Sequence, residues 1–205
     1  MEHKGKTATN IEVEKKFILT GEQEKRLLEG AEFLGEKKLI DVYYDDSQYS
    51  LTRKDIWLRS RDGRFELKAP MNVPIEERVA DRYRELETDR EILAYLKLPE
   101  NKTLGDALRD GGYGPFATIA ATRKKYRKDG YNIDLDTADF GYQVAEIEYM
   151  TDEASSMDGV TRKIMEYAGS HGLSSGDVIY GKVVEFLKRN NPAHFQALRD
   201  AKVIQ

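Results

Sequence analysis

The sequence predicts an α+β fold: a closed antiparallel β-barrel with a charged interior and with helices packed outside it. Three observations predict this fold. Segments in which charged and apolar residues alternate fill most of the first three quarters of the chain, and short turns join many of them. Amphipathic helical segments are inserted among these strands and follow them. Charged residues make up 34% of the sequence, above the roughly 25% of a typical soluble domain. The fold must therefore place more charged side chains than a typical domain does.

Length and composition limit the function classes. The 205 residues suit one domain, 1–205, with a flexible polar N-terminus at 1–9 and C-terminal helices from about 153 to 205 packing on the barrel. Lys and Arg number 33 against 37 Asp and Glu, which argues against a nucleic-acid partner. The sequence has no cysteine, which excludes Cys-ligated metal sites. Its three histidines argue against a multi-histidine metal site and against a Ser-His-Asp triad. No apolar run approaches the roughly 20 residues of a membrane helix, so we expect a cytoplasmic monomer with no membrane partner.

Alternation and turn dipeptides define the strands. Asp62-Gly63 and Asp129-Gly130 are typical of two-residue hairpin turns, so a strand is expected on each side of both. The predicted strands are Ile11–Leu19, Lys38–Tyr44, Asp55–Arg61, Arg64–Ala69, Val79–Leu86, Ala117–Lys128, Gly130–Asp136 and Gly141–Met150.

Capping signals and helical spacing define the helices. Thr20-Gly-Glu-Gln23 and Thr88-Asp-Arg-Glu91 have the form of a capping box, in which the first and fourth residues satisfy N–H groups at a helix start. The first predicts a helix to Gly35, and the second predicts a helix to about Lys97. Further helices are predicted at Leu104–Arg109, through Val160, Ile164, Met165 and Ala168, and through Val183, Val184 and Leu187 before Pro192.

The charged residues of the strands fall on one face, because residues two apart in a strand share a face. In the first strand this face carries Glu12, Glu14 and Lys16. For any single strand, the simpler interpretation is a face turned toward water. The amphipathic helices, however, need the apolar face of the sheet to cover, and closure of the sheet would turn its charged face into a barrel lining.

Such a lining contains both signs of charge, and buried charges need partners. Arg and Lys bind phosphate oxygens, while carboxylates two residues apart offer oxygen ligands to Mg²⁺ or Mn²⁺. The sequence therefore predicts a tunnel for a metal ion and a polyphosphate. The predicted lining residues are Lys16, Arg59, Arg61, Lys68, Arg123, Glu12, Glu14, Glu85, Asp134, Asp136, Glu146 and Glu148.

These residues resemble the CYTH, or triphosphate tunnel metalloenzyme, superfamily and, within it, the animal thiamine triphosphatase branch. The resemblance runs from Ile11 to about Leu198 and begins with Glu12-Val-Glu14-Lys-Lys16, its Glu-x-Glu-x-Lys signature. That signature alone is weakly specific, whereas the ordered set of motifs is strong. The other motifs are Tyr43-Tyr44-Asp45, Trp57-Leu-Arg59-Ser-Arg61, Glu66-Leu-Lys68, Tyr83-Arg-Glu85-Leu, Asp134-Leu-Asp136-Thr-Ala-Asp139-Phe-Gly-Tyr142 and Glu146-Ile-Glu148.

The resemblance implies metal-dependent hydrolysis of the terminal phosphoanhydride of thiamine triphosphate, with Mg²⁺ as cofactor and Mn²⁺ as a possible substitute. It implies that Trp57 stacks on the thiamine moiety. Lys16 and Tyr43 are a candidate proton-handling pair, since crowding by cations would lower the pKa of Lys16; alternatively, Lys16 only binds phosphate and Tyr43 orients it. The implied metal ligands are Glu12, Glu14, Asp134, Glu146 and Glu148, and the implied phosphate ligands are Lys16, Arg59, Arg61, Lys68, Arg123 and Lys182.

Two other functions stay open at this point. The chain could hydrolyse inorganic triphosphate or another organic triphosphate, which the same tunnel would bind. It could also be a non-catalytic polyphosphate-binding module, although binding alone would not favour so many carboxylates. Trp57 separates the first alternative from thiamine triphosphate, because inorganic triphosphate has no ring to stack.

Overall fold

Eight antiparallel strands close into a barrel in the computed structural model, which describes residues 11–153, 156–174, 176 and 178–205. The predicted flexible segment 1–9 lies outside the described residues. The strands are β1 (Ile11–Phe17), β2 (Glu32–Asp45), β3 (Trp57–Arg61), β4 (Arg64–Pro70), β5 (Asp81–Leu86), β6 (Gly114–Lys128), β7 (Tyr131–Ala138) and β8 (Gln143–Thr151). Their order around the barrel is β1-β5-β4-β3-β2-β6-β7-β8, and β8 pairs with β1 to close it. The predicted fold class is confirmed.

Both predicted hairpin turns are confirmed. Asp62 and Gly63 have positive φ angles of 48° and 85°, and Asp129 and Gly130 have φ angles of 53° and 84°. Aspartate tolerates this left-handed region better than most residues do, and glycine adopts it freely. The turns therefore match the twist of the strands that they join, β3–β4 and β6–β7.

The first predicted helix is too long, and the strand after it is predicted too short. The helix α1 (Gly21–Leu28) has the expected capping box at Thr20, but Gly30 with φ 72° lies just beyond its end. β2 then begins at Glu32 rather than at Lys38. Its early residues pair with β6, and Phe33 packs against Tyr126 with ring centroids 5.1 Å apart. Long-range strand pairing thus overrides the helical spacing of this segment.

The remaining helices cover the barrel wall and one of its ends. Ile164 of the first C-terminal helix packs with Ile11 and Ile147 on the outer faces of β1 and β8. Leu187 and Leu198, from the last two helices, cluster with Trp57 at one end of the barrel. No described helix is long and apolar enough to cross a membrane. These helices are α2 (Asp89–Leu96), α3 (Leu104–Asp110), α4 (Met157–Ser170), α5 (Lys182–Asn190) and α6 (Pro192–Asp200).

A neutral histidine anchors α6. The ring of His194 is fully buried and stacks on Tyr49 with centroids 3.8 Å apart. Its Nε2 lies 2.7 Å from Oγ1 of Thr52, and that hydroxyl donates to Asp45 at 2.7 Å, so Nε2 must carry the hydrogen. Nδ1 is buried and has no hydrogen-bond partner among the residues that the structure describes. Burial lowers the pKa of His194 to about 4, because the charged imidazolium would lose its hydration, although Asp45 opposes the shift.

Candidate active site

The barrel encloses a cavity of about 590 Å³. Asp134 and Asp136 are buried behind Arg123 and do not border it. Arg123 donates to both of them and to Glu146, with Nε 2.7 Å from Asp136 Oδ1 and Nη2 2.8 Å from Glu146 Oε2. All the other residues predicted for the site line the cavity: Glu12, Glu14, Lys16, Tyr43, Trp57, Arg59, Arg61, Lys68, Glu85, Arg123, Glu146, Glu148 and Lys182.

Opposite charges face each other across neighbouring strands of the lumen. Arg61 lies opposite Asp41, and its Nε and Nη2 donate to the two carboxylate oxygens at 2.7 and 2.8 Å. Arg59 lies opposite Glu66 and donates to it from Nε at 2.8 Å. Such pairing offsets part of the cost of burying the charges. Further cross-strand pairs of this kind are Lys68–Glu85, Lys16–Glu146 and Arg123–Asp136.

Carboxylates lie opposite carboxylates at two places on neighbouring strands of the barrel. Glu14 lies opposite Glu148, and Asp134 lies opposite Glu146. With Glu12, these residues form two groups, Glu12-Glu14-Glu148 and Asp134-Glu146-Glu148, in which one oxygen from each member lies within 4.8 Å of the others. Glu148 belongs to both groups, so the two lie side by side.

The two carboxylate groups fit a divalent cation. Oδ1 of Asp134 is buried and has no hydrogen-bond partner in the described part of the chain. Burial and the neighbouring carboxylates of Glu12 and Asp134 raise the pKa of Glu148 well above its usual value. Burial also raises the pKa of Glu12 to about 8, although Lys68 opposes the shift. A hard cation with oxygen ligands would satisfy these oxygens and offset their charge.

Lys16 is held among carboxylates. Its Nζ lies 2.5 Å from Oε1 of Glu14 and 2.8 Å from Oδ2 of Asp81. Burial opposes the charged form, but Asp81, Glu14 and Glu146 raise the pKa of Lys16 well above its usual value. The expected lowering of this pKa by surrounding cations is therefore wrong. Tyr43 lines the same cavity, but among the described residues no hydrogen bond joins it to Lys16.

The start of α5 brings a further lysine into the lumen. Lys182 is buried, contacts Asp136, and lies 3.9 Å from Oε1 of Glu146. Gly181 precedes it, and a Cβ at that position would lie 3.2 Å from Cε of Lys16. Glycine therefore allows the end of α5 to approach β1 closely.

Asp41, Asp55, Arg78 and Asp81 are charged residues at or beside the site that were not predicted from the sequence. Asp41 and Asp81 lie in strands, two residues before an inward-facing tyrosine, so the alternation of side chains could have found them. Arg78 lies in a loop, where alternation does not apply, and Asp55 lies in the turn before β3, which begins at Trp57 rather than at the predicted Asp55. Asp55 accepts a hydrogen bond from Nε1 of Trp57 at 2.9 Å, and Arg78 lies 3.2 Å from the same carboxylate.

Comparison with known proteins gives matches over most of the chain. Residues 10–180 match the sequence profile of the CYTH domain. The thiamine-triphosphatases of Macaca fascicularis and Homo sapiens are each 30% identical, covering 92% of this chain and 89% of theirs. A solved structure of a Pyrococcus horikoshii protein superimposes with a TM-score of 0.61 at 21% identity, covering 88% of this chain and 99% of that one. At that identity, the structural match shows the fold alone.

Proposed function

The chain belongs to the CYTH family, and we propose that it hydrolyses the terminal phosphoanhydride of thiamine triphosphate, giving thiamine diphosphate and phosphate. One observation carries the proposal. A single lumen is lined by arginines, lysines and the glutamates of the two carboxylate groups, and Trp57 lies on its wall two residues before Arg59. The thiamine-triphosphatases of two primates, which resemble the chain over nearly their whole length, support this substrate.

In this proposal the cations of the lumen bind the triphosphate. Arg59 and Arg61 hold a carboxylate with Nε and one Nη, which leaves the other Nη of each for phosphate oxygens. Lys68 adds a point charge from the neighbouring strand. Lys16 stays protonated and binds phosphate, so we favour Tyr43 as an orienting hydroxyl over a proton-handling pair. Arg123 and Lys182 complete the set of phosphate ligands.

The proposed cofactor is Mg²⁺, with Mn²⁺ as a substitute. When bound, the ion would offset charge on the transferring phosphoryl group. The orphaned Asp134 oxygen and the crowded Glu148 support this assignment. Its ligands would be Glu12, Glu14, Asp134, Glu146 and Glu148, with Glu85 and Asp136 as partners of the lumen cations.

Selection of the organic group is assigned to Trp57. A cationic thiazolium ring is attracted to an indole face by stacking and cation–π terms. From Trp57 to Arg59 the distance along the strand is about 7 Å, a suitable step from ring to phosphate. The proposal also includes a cytoplasmic monomer that binds this small molecule and no nucleic acid or membrane.

Phosphate release from thiamine triphosphate, ATP and tripolyphosphate tests the proposal, with Mg²⁺, Mn²⁺ or EDTA present. We expect the highest kcat/KM with thiamine triphosphate and no activity in EDTA. Faster hydrolysis of tripolyphosphate would identify an inorganic triphosphatase instead. Tight binding of all three without phosphate release would identify a non-catalytic binding module.

A further inference from the structure

Asp55 is a buried carboxylate outside the two carboxylate groups, and it accepts hydrogen bonds from several segments of the barrel. Trp57 Nε1 and the Tyr83 hydroxyl donate to its Oδ1, each at 2.9 Å. Asn72 Nδ2 donates to Oδ2 at 2.7 Å, and Arg78 Nη1 lies 3.2 Å from the same oxygen. One side chain thereby joins β3, β5 and the loop between β4 and β5.

The local backbone places this carboxylate beside the indole. Asp55 follows the short 3₁₀ helix Thr52–Lys54 and has a left-handed φ of 61°, with its N–H bonded to the carbonyl of Thr52. Two residues later, β3 begins at Trp57. The turn therefore puts the carboxylate within reach of the indole N–H, although Asp55 itself is not part of the strand.

The hydrogen bond from Asp55 restricts the orientation of the indole. Nε1 is the only polar atom of the Trp57 side chain, and Asp55 is its hydrogen-bond partner among the described residues. A ring held at one edge by a buried acceptor keeps one orientation in the wall of the cavity that it lines. An indole without this bond could rotate about its side-chain torsions and present a different face.

Arg78 connects this hydrogen-bond network to the C-terminal segment of the chain. Its Nη1 donates to the carbonyl of Val203 at 3.2 Å. Val203 and Gln205 line the same cavity as Trp57. Asp55 thus holds both the indole and, through Arg78, the C-terminal segment that borders it.

We propose that Asp55 is a positioning residue that sets the specificity of the site for the organic group of the substrate, acting through Trp57 and Arg78. This inference rests on the proposed function, since it assumes an organic group against the indole. Asp55 has no contact with the arginines that face the phosphate-binding part of the lumen among its described partners. Its effect should therefore fall on the organic group far more than on the triphosphate.

The first test compares thiamine triphosphate with tripolyphosphate. Asp55→Asn keeps the size of the side chain but leaves one oxygen for four donors. We expect the ratio of kcat/KM for thiamine triphosphate to that for tripolyphosphate to fall about fivefold to tenfold, chiefly through KM. Asp45→Asn is the control, because Asp45, the last residue of β2, is buried like Asp55 but accepts from the N–H groups of Leu51 and Thr52. Its ratio should stay at the parent value.

A double-mutant cycle tests whether Asp55 acts through the indole. In a Trp57→Ala background, Asp55→Asn should lower selectivity clearly less than it does in the parent, because only the route through Arg78 is left. An equal fall for both substrates, or the full effect of Asp55→Asn without the indole, would overturn the inference.

Fluorescence gives a second readout that needs no activity. Trp57 is the single tryptophan of the sequence, so its emission reports only on this site. We expect Asp55→Asn to increase acrylamide quenching and lower anisotropy, and Asp45→Asn to change neither. Unchanged emission in Asp55→Asn would contradict the inference. If the parent hydrolyses tripolyphosphate alone, the proposed function fails, while the fluorescence result still decides whether Asp55 positions the indole.

A further variant covers the case in which Asp55→Asn does not fold. Trp57→Phe keeps an aromatic face but has no N–H for Asp55. We expect it to lose most of the selectivity between the two substrates. A selectivity equal to that of the parent would show that the hydrogen bond positions nothing.

Discussion

Replacing Arg61 by lysine tests whether the lumen recognises phosphate by geometry or by charge alone. The guanidinium of Arg61 grips Asp41 through Nε and Nη2, at 2.7 and 2.8 Å, and keeps Nη1 for another acceptor. Asp41 is only 1% exposed, so it cannot exchange this partner for water. A lysine ammonium would have to serve both the carboxylate and a phosphate oxygen with one compact charge. The variant therefore loses about one charge-assisted hydrogen bond while keeping its net charge.

Such a bond contributes about 1.5–3 kcal/mol, which corresponds to a loss of about 10- to 150-fold in kcat/KM. Because the contact is to phosphate, the loss should be similar for thiamine triphosphate and tripolyphosphate. Steady-state phosphate release on both substrates measures it. Arg64→Lys provides the control, since Arg64 is exposed opposite Arg61 in the β3–β4 hairpin. If Arg61→Lys kept a kcat/KM within twofold of the parent, the cations would supply only a diffuse positive field, and the geometric argument would be refuted.

Three further predictions concern the metal, the indole and the histidine. Glu148→Gln should lower activity at least tenfold, and EDTA should abolish activity reversibly, because Glu148 belongs to both carboxylate groups; full activity in EDTA would contradict this. Trp57→Ala should raise KM for thiamine triphosphate about 10- to 30-fold, from 1–2 kcal/mol of cation–π and stacking energy, with a much smaller effect on tripolyphosphate. The pKa of His194 is about 4 in the folded chain and near 6.5 in the unfolded chain, so between these pH values the unfolded chain binds more protons. The contribution of His194 should therefore lower the free energy of unfolding by up to about 3 kcal/mol as the pH drops from 6.5 to 4. Urea unfolding across this range should show a weaker slope in His194→Gln than in a His171→Gln control.

The barrel lining could be predicted because alternation in a strand depends on sequence alone. Once Glu12 is assigned to the lumen, Glu14 and Lys16 must follow it, and the same holds for Arg59 and Arg61. Alternation does not identify the residue of the adjacent strand that lies opposite a given side chain. The contact of Lys16 with Asp81 depends on the register of β1 against β5, and because alternation does not give this register, the direction of the Lys16 pKa shift was predicted wrongly.

The errors in element bounds have a related cause. Leu27, Leu28, Ala31 and Leu34 have a spacing that a helix would accept, and only the pairing of residues 32–37 with β6 makes the later part of this segment a strand. The turn at Asp55 also depends on context, because its left-handed backbone has no local signal of the Asp-Gly kind. Hairpin turns and helix caps, which are local, were predicted correctly at Asp62-Gly63 and Thr20.

The register that builds the core also builds the site. Ile11 and Val13 alternate with Glu12 and Glu14 along β1. The side chains of Ile11 and Val13 are buried in the apolar cluster that includes Ile164 of α4. A slip of one residue would turn the glutamates toward this apolar cluster and the apolar side chains into the lumen. Burying two carboxylates in this cluster without partners would cost more free energy than the backbone pairing of the slipped strand provides. The packing of α4 therefore keeps Glu12 and Glu14 in the lumen, and in the observed register Glu14 opposes Glu148, which is the like-charged contact that calls for a cation.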